Sequence, residues 1–422
     1  MKVFKFGGAS IKDAPSVKNM SDIIAAGSDV PLVIVVSAMG KTTNSLEKVF
    51  SLRLKDGNFY KALGEISNYH KSILLELFGG DPGVSLKSIE ILFEELHTLL
   101  NSDQHYDSPD QLYDAIVCYG ELLSSTIIAH YLNRNGYPIQ WIDARTCIKT
   151  DDTYREGKIN WKATDKALRK NIARNLSERN FITQGFIGST ADDHTTTLGR
   201  EGSDFTAAIL GACLNAVSVT IWKDVPGILN ADPKRFEKTE LYSNLSYQEA
   251  AEMTYYGASV IHPKTIKPLA NKNIPLLVKS FEDPHLEGTV INQGDLHKLP
   301  PTFVVKDKQC LFSCGVKDLT FINEKNMSII FHILDRLNIK INMMQNSAVS
   351  LTVCFDYRED KVKELVKILG NDFKVLYNQD LQLITIKNYT AEAIDTISAQ
   401  KEILVEQRTR NTYQIVVKQD IA

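Results

Sequence analysis

The chain has 422 residues, of which 43% are hydrophobic and 23% charged, and its formal net charge is −3. This is ordinary globular composition at a length that calls for two or three domains. The absence of a basic stripe argues against nucleic-acid binding, and the longest apolar run, residues 30–36, is too short to span a bilayer.

Residues 3–6 read as a short strand that turns out through Gly7, Gly8, Ala9 and Ser10. Lys5, near the end of that strand, is placed to reach an anion such as a nucleotide phosphate, and glycine lets phosphate oxygens approach the backbone. Residues 31–36 form a second, wholly apolar strand, followed by a polar loop from Ser37 to Asn44. The Gly40-Lys41-Thr42 triplet is not a P-loop, because the position five before Gly40 is Val35. Residues 45–110 read as amphipathic helix without evident chemistry. Residues 112–132 read as one long helix that is apolar on both sides and therefore buried. Glu121 lies within it, and a buried carboxylate needs a cationic partner or a proton.

A strand at 139–142, a loop at 143–150, a basic helix at 161–175 and a strand at 181–188 lead to Thr195-Thr196-Thr197-Leu198-Gly199-Arg200-Glu201-Gly202-Ser203-Asp204. Ser203 reads as the N-cap of a helix over 205–214, with Asp204 in its first turn, where a carboxylate favours the positive helix end. Backbone N–H groups at such a turn, beside hydroxyls and Arg200, make an anion site. Strands follow at 217–222 and, last, at 274–278. At least six strands alternating with helices give an α/β fold, a three-layer αβα sandwich with a mainly parallel sheet and its site at the carboxyl ends of the strands. The stretch 292–302, with Pro300-Pro301, reads as a linker. Beyond it, strands at 310–316 and 350–355 flank a helix at 328–337, and elements at 381–387, 391–399, 403–407 and 413–418 look like a second, shortened α+β copy. The six cysteines form no CxxC pair and the N-terminus lacks the apolar stretch of a signal peptide, so a reduced, cytoplasmic protein is expected.

Three segments in combination carry a resemblance: "KFGGAS" at 5–10, "TTTLGREGSD" at 195–204 and "IWKDVPGILNADPK" at 221–234. They resemble the aspartate kinases of the amino-acid kinase superfamily, over nearly the whole chain. The resemblance implies a catalytic domain at 1–295 and two ACT-like regulatory domains at 303–375 and 376–422. It implies transfer of the ATP γ-phosphoryl group, with Mg²⁺ joining the phosphates, to the β-carboxylate of L-aspartate. The product, 4-phospho-L-aspartate, opens the route to lysine, threonine and methionine. In that reading Lys5 bridges the transferring phosphate and Asp204 orients Lys5. Ser37, Thr43, Glu121, Arg200 and Ser203 hold aspartate, Glu121 taking its ammonium and Arg200 a carboxylate. Gly7, Gly8, Ser10, Lys223, Asp224, Leu229, Asp232 and Lys234 surround the nucleotide. No side chain is implied as a metal ligand. The acceptor carboxylate is already ionised at neutral pH, so no general base is required.

Some positions depart from the commonest pattern of the resembled family. Glu201 stands where many relatives have glycine, Lys223 for threonine, Leu229 for tyrosine and Ser259 for a lysine that reaches the nucleotide. Lys223, Lys234 and Lys264 are candidates to restore that charge. Asn342, Asn346 and Ser347 fall where an amino-acid effector would bind. Neither Asn342 nor Ala348 is acidic, as lysine-inhibited relatives often are there, so weak or absent lysine inhibition is expected, with threonine or no effector as alternatives. A homodimer or higher homo-oligomer through ACT-like sheets is implied. With Ala422 as the last residue and no homoserine dehydrogenase segment, a monofunctional enzyme is expected. Kinases of the same superfamily acting on acetylglutamate, glutamate or UMP compete with this reading, and Glu121 and the ACT-like tail argue against them. A non-catalytic amino-acid sensor is the other alternative, and the joint presence of Lys5, Arg200 and Asp204 argues against it.

Overall fold

The computed structural model describes residues 1–27, 29–102, 105–258, 261–294, 299–318 and 320–418. Ser259, one of the departures above, lies outside them. The chain forms two compact units. The first takes Met1–Ile228, Leu241–Ala251 and Val260–Asp295, and the second takes Leu229–Glu240, Glu252–Ser259 and Leu296–Ala422.

In chain order the elements of the first part are β1 (Lys2–Phe6), α1 (Ala14–Ala26), β2 (Leu32–Val36), α2 (Thr42–Leu54), α3 (Tyr60–Leu77), α4 (Gly83–Asn101), α5 (Pro109–Val117), α6 (Tyr119–Arg134), β3 (Ile139–Ile142), α7 (Trp161–Asn171), β4 (Asn180–Gln184), β5 (Ile187–Ser189), β6 (Thr195–Thr197), α8 (Gly202–Cys213), β7 (Ser218–Lys223), β8 (Asn244–Ser246), α9 (Tyr247–Tyr256), α10 (Pro263–Ala270), β9 (Leu276–Ser280) and β10 (Thr289–Asn292). Eight strands make one sheet in the order β3-β4-β2-β1-β7-β9-β10-β8. All pairs are parallel except β9 with β10. A parallel strand covered on both faces favours branched apolar residues, and β2, Leu-Val-Ile-Val-Val, is buried throughout. β1 lies between β2 and β7, with Lys5 in register with Val35 and Ile221.

Four expectations change. The strand expected at 181–188 splits, because Phe186 takes a left-handed conformation (φ 68°) and sends β5 into a separate two-stranded ribbon with β6. The strand at 276–280 is not the last of the sheet. β10 follows it, and β10 and β8 are too short to show an apolar period. The long helix at 112–132 breaks at Cys118, where the Glu121 N–H bonds to the Cys118 carbonyl in a tighter turn. Gly120 at this break lets α6 approach closely: a Cβ there would stand 3.0 Å from Ala38 Cβ and 3.2 Å from Leu46 Cδ1. The pair α5–α6 is long and apolar enough to cross a membrane by composition, but it is mostly buried inside this unit. Finally, Ser203 is not the cap of α8. Helix α8 begins at Gly202 behind Glu201, whose carbonyl accepts the first helical bond from Phe205 and whose backbone is left-handed at φ 55°. Ser203 sits buried inside the first turn.

The second unit carries β11 (Thr302–Val316), α11 (Glu324–Arg336), β12 (Ile341–Asn346), β13 (Ser350–Asp356), α12 (Glu359–Leu369), β14 (Phe373–Lys387), α13 (Ala391–Ser398), β15 (Ile403–Arg408) and β16 (Thr412–Lys418). Its sheet, β12-β13-β11-β14-β16-β15, is antiparallel throughout. The long strands β11 and β14 pair from Thr302 with Lys387 to Val316 with Phe373. The two expected α+β copies therefore share one continuous sheet. One apolar cluster, with Phe312, Phe355 and Leu365, includes residues of α11 and α12; another, with Ile386 and Ile415, includes residues of α13. Thr302 is already strand, so the linker reading ran too far.

Candidate active site

A cavity of about 650 Å³ opens at the carboxyl ends of β1, β2 and β7 and at the N-termini of α6 and α8. On one side lies a charged triad. Lys5 Nζ is 2.6 Å from Asp204 Oδ1, with both side chains more than nine-tenths buried, and Lys223 Nζ is 3.6 Å from Asp204 Oδ2. Burial alone would raise the Asp204 carboxyl; Lys5 and Lys223 outweigh it and hold Asp204 below the ordinary carboxylate range. Two ammonium groups against one carboxylate leave a net positive charge beside the cavity, a preorganised seat for an anion. Of the three lysines considered for restoring charge, Lys223 is the one that lines this cavity; Lys264 lines a different cleft, with Trp161 and Phe205.

Gly7, Gly8 and Ser10 bend the chain out of β1 along the cavity wall. No side chain fits at Gly8, because a Cβ would come within 2.6 Å of the Ala38 carbonyl. Ser37 and Thr43 line the facing loop, and Ser124 Oγ on α6 donates to the Ser37 carbonyl at 2.6 Å. Arg200, Ser203 and Asp224 line the cavity as well. Glu201 also reaches the wall, but its carboxylate accepts the His262 N–H at 2.8 Å, at the head of α10. Its charge is thus partly offset by a helix N-terminus.

Glu121 stands in the first turn of α6, only 3% exposed, and its side chain lines the cavity. Among the described residues its Oε2 has no hydrogen-bond partner. Burial pushes its carboxyl up to about 8, against the opposing pull of the Ala38 N–H and the Lys5 charge. In the free protein it is an acid waiting for a cation.

Sequence reasoning missed Glu47, Tyr113, Arg155 and Thr197, which line the same cavity. Glu47 lies four residues after Thr43 on α2 and shares its face, a spacing that could have revealed it. Tyr113 donates to Glu47 Oε1 at 2.7 Å, and the Arg155 guanidinium lies 3.9 Å from the Tyr113 ring centre. Asp114, fully buried, accepts from Thr197 N–H, Thr197 Oγ1 and Arg155 N–H at 2.8, 2.7 and 2.9 Å. Burial raises Asp114 to about 6 despite those donors.

Leu229, Asp232 and Lys234 belong to the second unit, where Asp232 accepts the Lys234 N–H at 2.9 Å. In that unit Asn342 is held internally. Its Oδ1 accepts from Lys306 Nζ at 2.9 Å, and its Nδ2 donates to Gln309 Oε1 and Asp356 Oδ1 at 2.8 and 3.0 Å. Asn346 ends β12, exposed, and Ser347 closes the turn into β13 by bonding to Ser350.

An amino acid kinase family model matches residues 1–280. Lysine-sensitive aspartokinase 3 of Escherichia coli (strain K12) is 33% identical over 356 residues, which are 84% of this chain and 78% of that protein. The bifunctional aspartokinase/homoserine dehydrogenase 1, chloroplastic, of Zea mays is 30% identical over 370 residues, and the chain spans 40% of its length. The crystal structure of E. coli aspartokinase III in complex with aspartate and ADP has a TM-score of 0.83 at 28% identity, covering 99% of this chain and 96% of that one. With a family match over residues 1–280 and aspartokinase relatives aligned with 84% and 85% of the chain, it belongs to the amino acid kinase family.

Proposed function

We propose that this protein is an aspartate kinase that transfers the γ-phosphoryl group of ATP to the β-carboxylate of L-aspartate. The observation that carries the reading is Glu121: a buried carboxyl with an unpartnered oxygen on the cavity that also holds the Lys5–Asp204–Lys223 triad. Such a cavity suits an acceptor that presents an ammonium and two carboxylates. Glu121 takes the ammonium, and Arg200 takes the carboxylate that does not react, with Ser37, Thr43 and Ser203 beside it. An oxygen of the β-carboxylate then bonds to the γ-phosphorus while the bond to the bridging oxygen breaks, and ADP leaves with that electron pair. No proton moves. Lys5, oriented by Asp204, stays with the phosphoryl group as its charge redistributes, and the glycine turn Gly7–Gly8 with Ser10, Lys223 and Asp224 serves the nucleotide. When bound with the nucleotide, Mg²⁺ would supply charge neutralisation on its phosphates.

Hydroxylamine traps an acyl phosphate as a hydroxamate. Purified protein with ATP and Mg²⁺ is expected to give hydroxamate and ADP with L-aspartate, and neither with N-acetylglutamate, glutamate or UMP. No turnover with any acceptor would transfer the weight to the amino-acid sensor.

The second unit supports a regulatory role. Asn342 is engaged by Lys306, Gln309 and Asp356 and offers no carboxylate to a lysine ammonium. Lysine therefore inhibits this enzyme weakly or not at all; inhibition at micromolar lysine in the same assay would contradict this, and threonine is the effector to compare. We read the protein as a homodimer or larger homo-oligomer, to which exposed apolar side chains of this unit such as Leu376, 62% exposed, would contribute. Six buried free cysteines suit a reducing compartment such as the cytoplasm.

A further inference from the structure

Arg155 carries a long side chain on a left-handed backbone, φ 65°. That conformation is unfavourable for a residue with a Cβ, and it persists where the surroundings over-determine it. The surroundings here are specific. The Arg155 N–H donates to buried Asp114, its Nε lies 2.8 Å from Asp110 Oδ1, and its planar face stacks on Tyr113 at 3.9 Å. Asp114 binds Thr197 with its other contacts, and the Gly157 N–H donates to the Thr197 carbonyl at 2.8 Å. The loop bearing Arg155 is thereby tied to β6, the strand that leads directly into Arg200. One scaffold thus presents two guanidinium groups to the same cavity, and the Arg155 side chain is 44% exposed there.

Among the described residues four cations line the cavity, and Lys5, Lys223 and Arg155 divide by what they rest on. Lys5 and Lys223 pair with Asp204 at the ends of β1 and β7, where the phosphoryl group must pass. Arg155 rests on α5, away from those strand ends. Its known contacts use Nε and the ring face, and a bidentate grip on a carboxylate uses the Nη edge. We propose that Arg155 is a substrate-binding residue that, with Arg200, grips the unreactive carboxylate of the acceptor and selects for amino acids with two carboxylates. This rests on the aspartate kinase reading.

Arg155→Gly tests it, since glycine accepts φ 65° without strain. In the full-length protein its Tm is expected to equal or exceed that of the wild type. Its KM for aspartate is expected to rise by about ten- to a hundredfold, while kcat and the KM for ATP stay within about threefold. Added methylguanidinium should restore part of the affinity, and Arg155→Lys, which lacks the bidentate fork, should fall between. A wild-type KM for aspartate in Arg155→Gly would overturn the proposal. So would a joint rise of both KM values with a fall in Tm, which would mark a structural role. If the wild type itself shows no aspartate-dependent turnover, the functional reading fails first and this inference with it.

Discussion

Lys5→Ala is expected to lower kcat by about two to three orders of magnitude while KM for aspartate stays within severalfold. The asymmetry follows from where Lys5 sits. It is held between β2 and β7, 2.6 Å from Asp204 and away from the helical cover on which Arg155 rests. A fixed ammonium there matters most when charge shifts along the transferring phosphoryl group. The substitution also has a structural cost. It leaves Asp204 buried with Lys223 at 3.6 Å, and breaking a buried ion pair from one side costs about 3–5 kcal/mol. A drop in activity caused by unfolding must therefore be separated from one caused by chemistry. Lys5→Met with Asp204→Asn removes both charges; it should recover Tm towards the wild type without recovering kcat. Near-wild-type turnover in Lys5→Ala would remove Lys5 from the mechanism. The pH dependence of stability gives a second check. The Asp204 carboxyl is lowered in the folded state, so its contribution is complete above the ordinary value of 3.8 and is lost as acid protonates it. The double variant should lack that loss.

Lys5, Asp204 and Glu121 were legible because each stands beside a strong local signal: a glycine turn after an apolar strand, a helix start, and a helix apolar on both faces. The sheet was legible wherever a strand was a run of branched residues, as in β2. Arg155 and Tyr113 carried no such signal. Their place at the cavity depends on the return of a loop from β3 onto α5, which no local period encodes. Asp114 was readable in principle as a carboxylate within an apolar, buried helix. The break between α5 and α6 was hidden because its sign is a glycine, Gly120, required by the neighbouring Ala38 and not by the helix. The misplaced cap at Ser203 has a similar cause. Ser203 has the side chain of a cap, but the left-handed turn at Glu201 had already closed the first helical bond. Leu229, Asp232 and Lys234 are assigned to the nucleotide by the resemblance alone, and no local period in the sequence marks the division of the chain after Ile228.

Glu121→Gln is expected to raise KM for aspartate by about a hundredfold or more, with KM for ATP little changed. Glutamine keeps the shape and can keep the Ala38 N–H bond, so the loss isolates the charge. Stability should move the other way. The Glu121 carboxyl is raised from 4.5 to about 8 in the folded protein. Its favourable contribution is complete below 4.5, where both states are protonated, and is lost as pH rises through the folded value. Between those limits the folded state holds a proton that the unfolded state has released. The ligand-free wild type is thus destabilised with rising pH by this group, and the Tm advantage of Glu121→Gln should grow up to about pH 8. Aspartate reverses the linkage, because its ammonium favours the carboxylate. Binding at pH 7 should release close to one proton, measurable by calorimetry in buffers of different ionisation enthalpy, and Glu121→Gln should release none from this site. Wild-type KM for aspartate should fall as pH rises to 8. A pH-independent KM, or a glutamine variant that binds aspartate normally, would detach Glu121 from the ammonium. The same chemistry explains the expected rejection of N-acetylglutamate: an acetylated nitrogen carries no charge, so it cannot repay the ionisation of a buried glutamate.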